Sequence, residues 1–183
     1  MLNQKGQESA PFELLIAVIV MTFVIMIGLQ ATDTLVKEQC KGQIESGLER
    51  MKTGIESVVK GKGKENVSFN LPTCFEEKRT KIRIAIEDSA KSCAYLCGGS
   101  QQVCTLLIYS NPQFNSIKCL YISPHTIFPT GDPCDAEDIA GEGEYEAVDL
   151  KGDEGIKPGH YILISKFSSL SQNPIICAFR KTR

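Results

Sequence analysis

Tryptophan is absent from these 183 residues, and histidine occurs only twice, as His125 and His160. Two histidines leave little room for His-based metal ligation or acid–base chemistry. No Lys/Arg-rich run is present, and the formal net charge is only −2. The chain therefore lacks the basic footprint that tracks a phosphate backbone, and no nucleic-acid partner is expected. At 42 % hydrophobic residues it also lacks the composition of a disordered protein. Proline is missing from residues 12–60, and charge is nearly missing from residues 12–29, where Glu13 is the one ionisable group.

Cysteine is plentiful. Cys40, Cys74, Cys93, Cys97, Cys104, Cys119, Cys134 and Cys177 make an even set of eight, spread over the whole polar part. That pattern suits disulfides in an oxidising compartment. The rival readings are structural zinc, or reduced thiols in a cytosolic protein. Zinc sites usually pair two close-spaced cysteines with a second pair downstream, and no second pair follows Cys93 and Cys97. Eight cysteines allow on the order of a hundred complete pairings, so connectivity is not readable here.

The run FELLIAVIVMTFVIMIGL, residues 12–29, has 18 residues. At ~1.5 Å per residue it spans ~27 Å, close to the hydrocarbon core of a bilayer. Lys5 precedes it and favours a cytoplasmic N-terminus. A removable secretory signal is the rival. It would need a shorter apolar region, of about 7–15 residues, and a small-x-small cleavage site. Leu29-Gln30-Ala31 puts a bulky residue where a small one is required.

Apolar positions then recur at helical spacing: Leu35, Val36, Cys40, Ile44, Leu48, Met51, Ile55, Val58 and Val59. Lys37, Glu38, Lys41, Glu45, Glu49, Arg50, Lys52 and Glu56 occupy the other face, and a single helix of ~50 residues is expected. Gly61-Lys62-Gly63-Lys64 should end it. Cys40 lies on the apolar face and is expected to staple the helix to the following domain, through Cys74 or Cys177. Those loops of ~35 or ~137 residues would stabilise by about 3–4 or about 5 kcal/mol in the chain-entropy model. A buried free thiol or a bond to a second subunit are the alternatives.

Beyond residue 64 the period changes. Val67, Phe69 and Leu71 alternate with polar residues, as do Ile82, Ile84 and Ile86. Further β-rich runs fall at residues 105–109, 117–122, 145–150, 161–167 and 175–179, separated by Gly/Pro/Asn turns. The fold class is α+β: a long N-terminal hydrophobic then amphipathic helix, followed by a disulfide-bonded, mainly antiparallel β domain. The expected segments are 7–33 in membrane, 34–60 packed on the β domain, and 65–183 outside the cell.

Other candidate sites are weak. Residues 132–154 hold ten carboxylates and Lys151 as the one base. Asp132, Asp135, Glu137 and Asp138 do not follow the calcium-loop spacing, so a solvated acidic loop is expected. Asn66-Val67-Ser68 is an N-glycosylation sequon. His125 and His160 read as turn residues without a partner acid. Neither enzymatic activity nor a cofactor is implied.

The first residues carry the most specific pattern: Lys5-Gly6-Gln7-Glu8-Ser9, then Glu13 at the head of the apolar run. This resembles the class III signal peptide of archaeal type IV pilin-like proteins, over about residues 1–35. The resemblance implies that residues 1–6 are a leader, cut between Gly6 and Gln7 by a membrane-embedded prepilin peptidase. Lys5, Gly6 and Gln7 would form the cleavage site, and Glu13 the helix-head acid. Glu13 stands seventh after that cut, where the family usually has its acid fifth; Pro11 is fifth. The helix would stay on the mature subunit, anchor it in the membrane, and then pack into a helical homopolymer at the cell surface. The assembly machinery and its cytoplasmic ATPase are implied as partners. The alternative is a non-polymerising single-pass protein presenting a disulfide-rich binding module.

Overall fold

The computed structural model describes residues 10–72, 74, 79–129, 133–134, 139, 143–152, 154–167 and 173–182. The chain divides into two compact units, Met1–Lys41 and Gly42–Arg183. Helix α1, Ala10–Ser57, is followed by a π-helical turn, Val58–Lys62. Gly61 (φ 114°) and Gly63 (φ 69°) adopt left-handed backbone there, which ends the helix where the glycines were expected to end it.

In the second unit the amphipathic stripe is buried as its spacing requires: Ile44, Leu48, Met51, Ile55 and Val58 are at most 3 % exposed. Among the described residues seven strands form two antiparallel sheets. One sheet has the order β1-β6-β7-β5, with β1 Lys64–Phe69, β5 Tyr145–Ala147, β6 Gly159–Phe167 and β7 Pro174–Lys181. The other has the order β2-β3-β4, with β2 Lys81–Glu87, β3 Cys104–Asn111 and β4 Phe114–Leu120.

Residues 174–179 of β7 are buried on both faces of the four-stranded sheet, so this strand reads as the continuous apolar run Pro-Ile-Ile-Cys-Ala-Phe rather than an alternation. One face carries Val67, Phe69, Tyr161 and Leu163; the other carries Ile162, Ile175, Cys177 and Phe179, packed with Cys134 and Ile139. Residues 148–150 were expected to continue β5. Instead they cross between the sheets. The Val148 amide donates to Ala178 of β7, and the Leu150 carbonyl accepts from Ile84 of β2, both at 2.8 Å. The Ile156 amide then donates to Ile82. Gly155 is required on this path: its φ is +73°, and a Cβ would stand 2.9 Å from the Ile82 carbonyl oxygen.

Gly54 of α1 faces β1 and β6. Its role is steric. A Cβ there would collide with the Val67 side chain on β1 and touch Leu163 Cδ1 at 3.4 Å. At Gly42, by contrast, nothing lies within 4 Å. Alanine is better than glycine in a helix by about 1 kcal/mol, whereas overpacking costs about 1–3 kcal/mol. Gly42→Ala should therefore raise the melting temperature of the detergent-solubilised protein, and Gly54→Ala should lower it. Equal shifts for the two variants would refute the close approach.

Among the described residues is one further helix that the periodicity did not predict. Helix α2, Ala90–Cys97, stands between β2 and β3. The Ser89 hydroxyl caps its start by accepting from the Ser92 amide, and Gly98 (φ 64°) ends it. The cue was present in the sequence: Cys93 and Cys97 are four apart, which puts both thiols on one helix face. Each is bonded to the adjacent sheet, Cys93 to Cys104 and Cys97 to Cys119.

A further disulfide joins Cys134 to Cys177. This corrects the expectation that Cys177 could serve Cys40. Cys40 and Cys74 are likewise disulfide-bonded, and no cysteine is free. All eight cysteines are thus accounted for as disulfides, as the even count suggested, rather than as zinc ligands.

Candidate functional site

Within the first unit, residues 12–39 of α1 are exposed along their whole length. Fourteen large apolar side chains between Phe12 and Leu29 are 47–68 % exposed. Burying such side chains is worth roughly 1.5–3 kcal/mol each when complete, so covering the exposed halves is worth on the order of 10–20 kcal/mol. That matches or exceeds the net stability of a whole domain, about 5–15 kcal/mol. Water is therefore the wrong solvent for this segment. It is one helix long and apolar enough to cross a membrane.

The segment's polar groups are compatible with such a setting. The Thr22 hydroxyl donates to the Val18 carbonyl at 2.8 Å, so it presents no unsatisfied donor to an apolar surround. Thr32 and Thr34 bond back to Gly28 and Gln30 in the same way. Glu13 lies in the first turn, the end of a helix where a carboxylate is favoured by the dipole. It shares a stripe with Ile16, Ala17, Val20 and Val24. Lys5, Gly6, Gln7 and Ser9, the expected cleavage region, lie outside the described residues.

In the second unit part of the charged face of α1 docks on the three-stranded sheet. The Glu45 carboxylate accepts from the Ser116 hydroxyl at 2.7 Å and pairs with Lys118 of β4. Burial works to raise the Glu45 pKa, but the hydrogen bonds and charge of Lys118 and Ser116 outweigh it and hold the carboxyl below its ordinary value. Lys52 lies 5.2 Å above the Tyr121 ring, and the Tyr121 amide donates to Glu56 at 2.9 Å. Sequence spacing showed that these residues share a helix side. It could not show that a sheet edge approaches that side.

Tyr161, 1 % exposed, anchors the other sheet, its hydroxyl donating to the Lys157 carbonyl at 2.5 Å. Burial pushes its pKa up to about 12, against the smaller opposing pull of the Arg180 charge. The folded-state value thus exceeds the ordinary phenol value of 10. The folded state holds this proton more tightly, so its contribution is complete below pH 10 and is lost as pH rises toward 12. About 2 kcal/mol should disappear across that window. Tyr161→Phe should flatten the alkaline fall in melting temperature; an unchanged slope would refute the assignment.

The remaining candidates are dispersed. His125 is an exposed turn residue as expected, but His160 belongs to β6, where it is exposed. Of the acidic stretch, Asp132, Asp135, Glu137 and Asp138 lie outside the described residues. Glu146 pairs with Arg180, Glu154 with Lys157, and the Asp149 carboxylate accepts from the Lys151 amide at 2.7 Å. Among the described residues no group of three or more His, Cys, Asp or Glu is placed to hold a metal ion. Asn66 is exposed on β1.

No protein-family model, curated protein or solved structure matches this chain. Its function therefore rests on its own physical chemistry, and the apolar helix is the feature with the largest free energy at stake.

Proposed function

We propose that the chain is a structural subunit of a type IV pilus-like surface filament, anchored in the membrane before assembly. One observation carries the reading: an apolar helix headed by Glu13, exposed along residues 12–29, on a chain whose second unit has its own disulfide-bonded core. Lipid can cover that helix before assembly, and identical helices can cover it afterwards. In either apolar surround Glu13 needs a counter-charge, since an unpaired buried carboxylate costs several kcal/mol. The α-amine that cleavage before Gln7 would create has the right charge, and Lys5-Gly6-Gln7 resembles a prepilin peptidase site. The β domain would form the outer layer of the filament.

The test is direct. N-terminal sequencing of protein from its native cells should begin at Gln7. Gly6→Leu should retain the leader and abolish filaments in negative-stain micrographs. A native N-terminus at Met1, or near Ala31, would refute the processing. Correct cleavage without filaments would favour a non-polymerising surface module.

A further inference from the structure

We propose that Asn66 carries an N-linked glycan, whose first sugars lie along a polar row crossing the four-stranded sheet. Asn66 begins the sequon Asn66-Val67-Ser68 and is exposed on β1, an edge strand of that sheet. The strand alternation turns Val67 into the core, 6 % exposed, and turns Asn66 and Ser68 to the opposite face. On that face the register aligns Ser68 with His160 and Lys181 with Tyr145; Tyr161 on the opposite face pairs with Arg180, which sets His160 opposite Lys181. Ser68, His160, Lys181 and Tyr145 therefore form one row through all four strands. Together with Asn66 they line a groove of about 330 Å³.

The row suits carbohydrate better than an apolar ligand. Ser68, His160 and Lys181 supply hydrogen-bonding groups, and Tyr145 supplies an aromatic face with a polar tip. The glycan also solves a problem of the fold. The Gly63 carbonyl accepts from the Ser165 amide at 2.9 Å, so β1 alternates between backbone groups aimed at β6 and groups aimed outward. An outward-facing edge is a template for unwanted strand pairing, and a bulky, solubilising sugar beside it blocks the approach of another strand.

The modification is a group transfer. The Asn66 side-chain nitrogen bonds to C1 of a sugar on a lipid-linked oligosaccharide phosphate. The C1–O bond breaks, the lipid phosphate leaves with its electron pair, and the amide gives up one proton. The proposal rests on export of the β domain, though not on filament assembly.

Intact mass spectrometry of the protein from its native cells tests it. Wild type should exceed the disulfide-bonded polypeptide mass. Asn66→Gln and Ser68→Ala should lose the whole excess, and Ser68→Thr should keep it. Hydroxyl-radical footprinting should find Tyr145 and His160 more oxidised in Asn66→Gln than in wild type. Polypeptide mass in protein that protease can reach on intact cells would overturn the glycan while sparing export. Protein that protease cannot reach would overturn export, and the glycan with it. Unchanged footprints would overturn the polar row as its resting place.

Discussion

Replacing Val20 and Val24 together by aspartate should release the protein from the membrane fraction. Both lie in the middle of the apolar run and are 54 % and 63 % exposed. The insertion free energy of this run is a sum of small terms, about −0.3 to −0.6 kcal/mol for each Leu, Ile, Phe or Val near the centre. A central aspartate costs about 2.5–3.5 kcal/mol. Two of them cost roughly 5–7 kcal/mol, comparable with the whole favourable sum. The same pair would place two unpaired carboxylates inside any bundle of identical helices, so assembly should fail as well. Membrane fractionation after alkaline extraction reads the first effect and electron microscopy the second. A double variant that stays embedded would show that residues 12–29 are not the anchor. The conservative pair Val20→Leu and Val24→Leu, which keeps the apolar character, should behave as wild type.

Removal of the Cys134–Cys177 disulfide, by alanine at both positions, should cost the β domain about 4 kcal/mol. The bond closes 43 residues of chain, against 22 for Cys97–Cys119 and 11 for Cys93–Cys104. On the chain-entropy scale the shorter loops are worth about 3 kcal/mol each. Cys134 and Cys177 are also 4 % and 0 % exposed, in a cluster with Ile139, Ile162, Ile175 and Phe179. Their loss therefore opens space in the core besides freeing the unfolded chain. A fall of roughly 8–16 °C in melting temperature is expected for a domain of this size. Removing Cys97 and Cys119, which are only half-buried, should cost less. If the two double variants fall equally, or the shorter loop matters more, the bond does not hold the second face of the four-stranded sheet as described.

Which elements form was legible from local pattern. The apolar run, the helical stripe from Ile44 to Val58 and the alternation of Ile82 with Ile84 are short-range regularities. Each is set by the geometry of one helix turn or one strand. Gly61 and Gly63 marked the end of the helix for an equally local reason, the backbone conformation they alone adopt cheaply. The even cysteine count indicated an oxidised protein before any pairing was known. Helix α2 was missed although Ser89, Gly98 and the spacing of Cys93 and Cys97 announced it; at eight residues it is too short for a full periodic signal.

What only the tertiary structure decided was everything that depends on segments distant in sequence. β1 lies beside β6, nearly a hundred residues later, and Cys134 finds Cys177 rather than leaving it to Cys40. Residues 148–150 leave their strand to join the two sheets. Gly54 is needed because Val67 arrives against it, and Glu45 because Lys118 does. A single chain position has many chemically acceptable partners, and loop-closure entropy separates them only weakly. The simultaneous packing of both sheets and the helix removes that degeneracy, because each placement constrains the others in a close-packed interior.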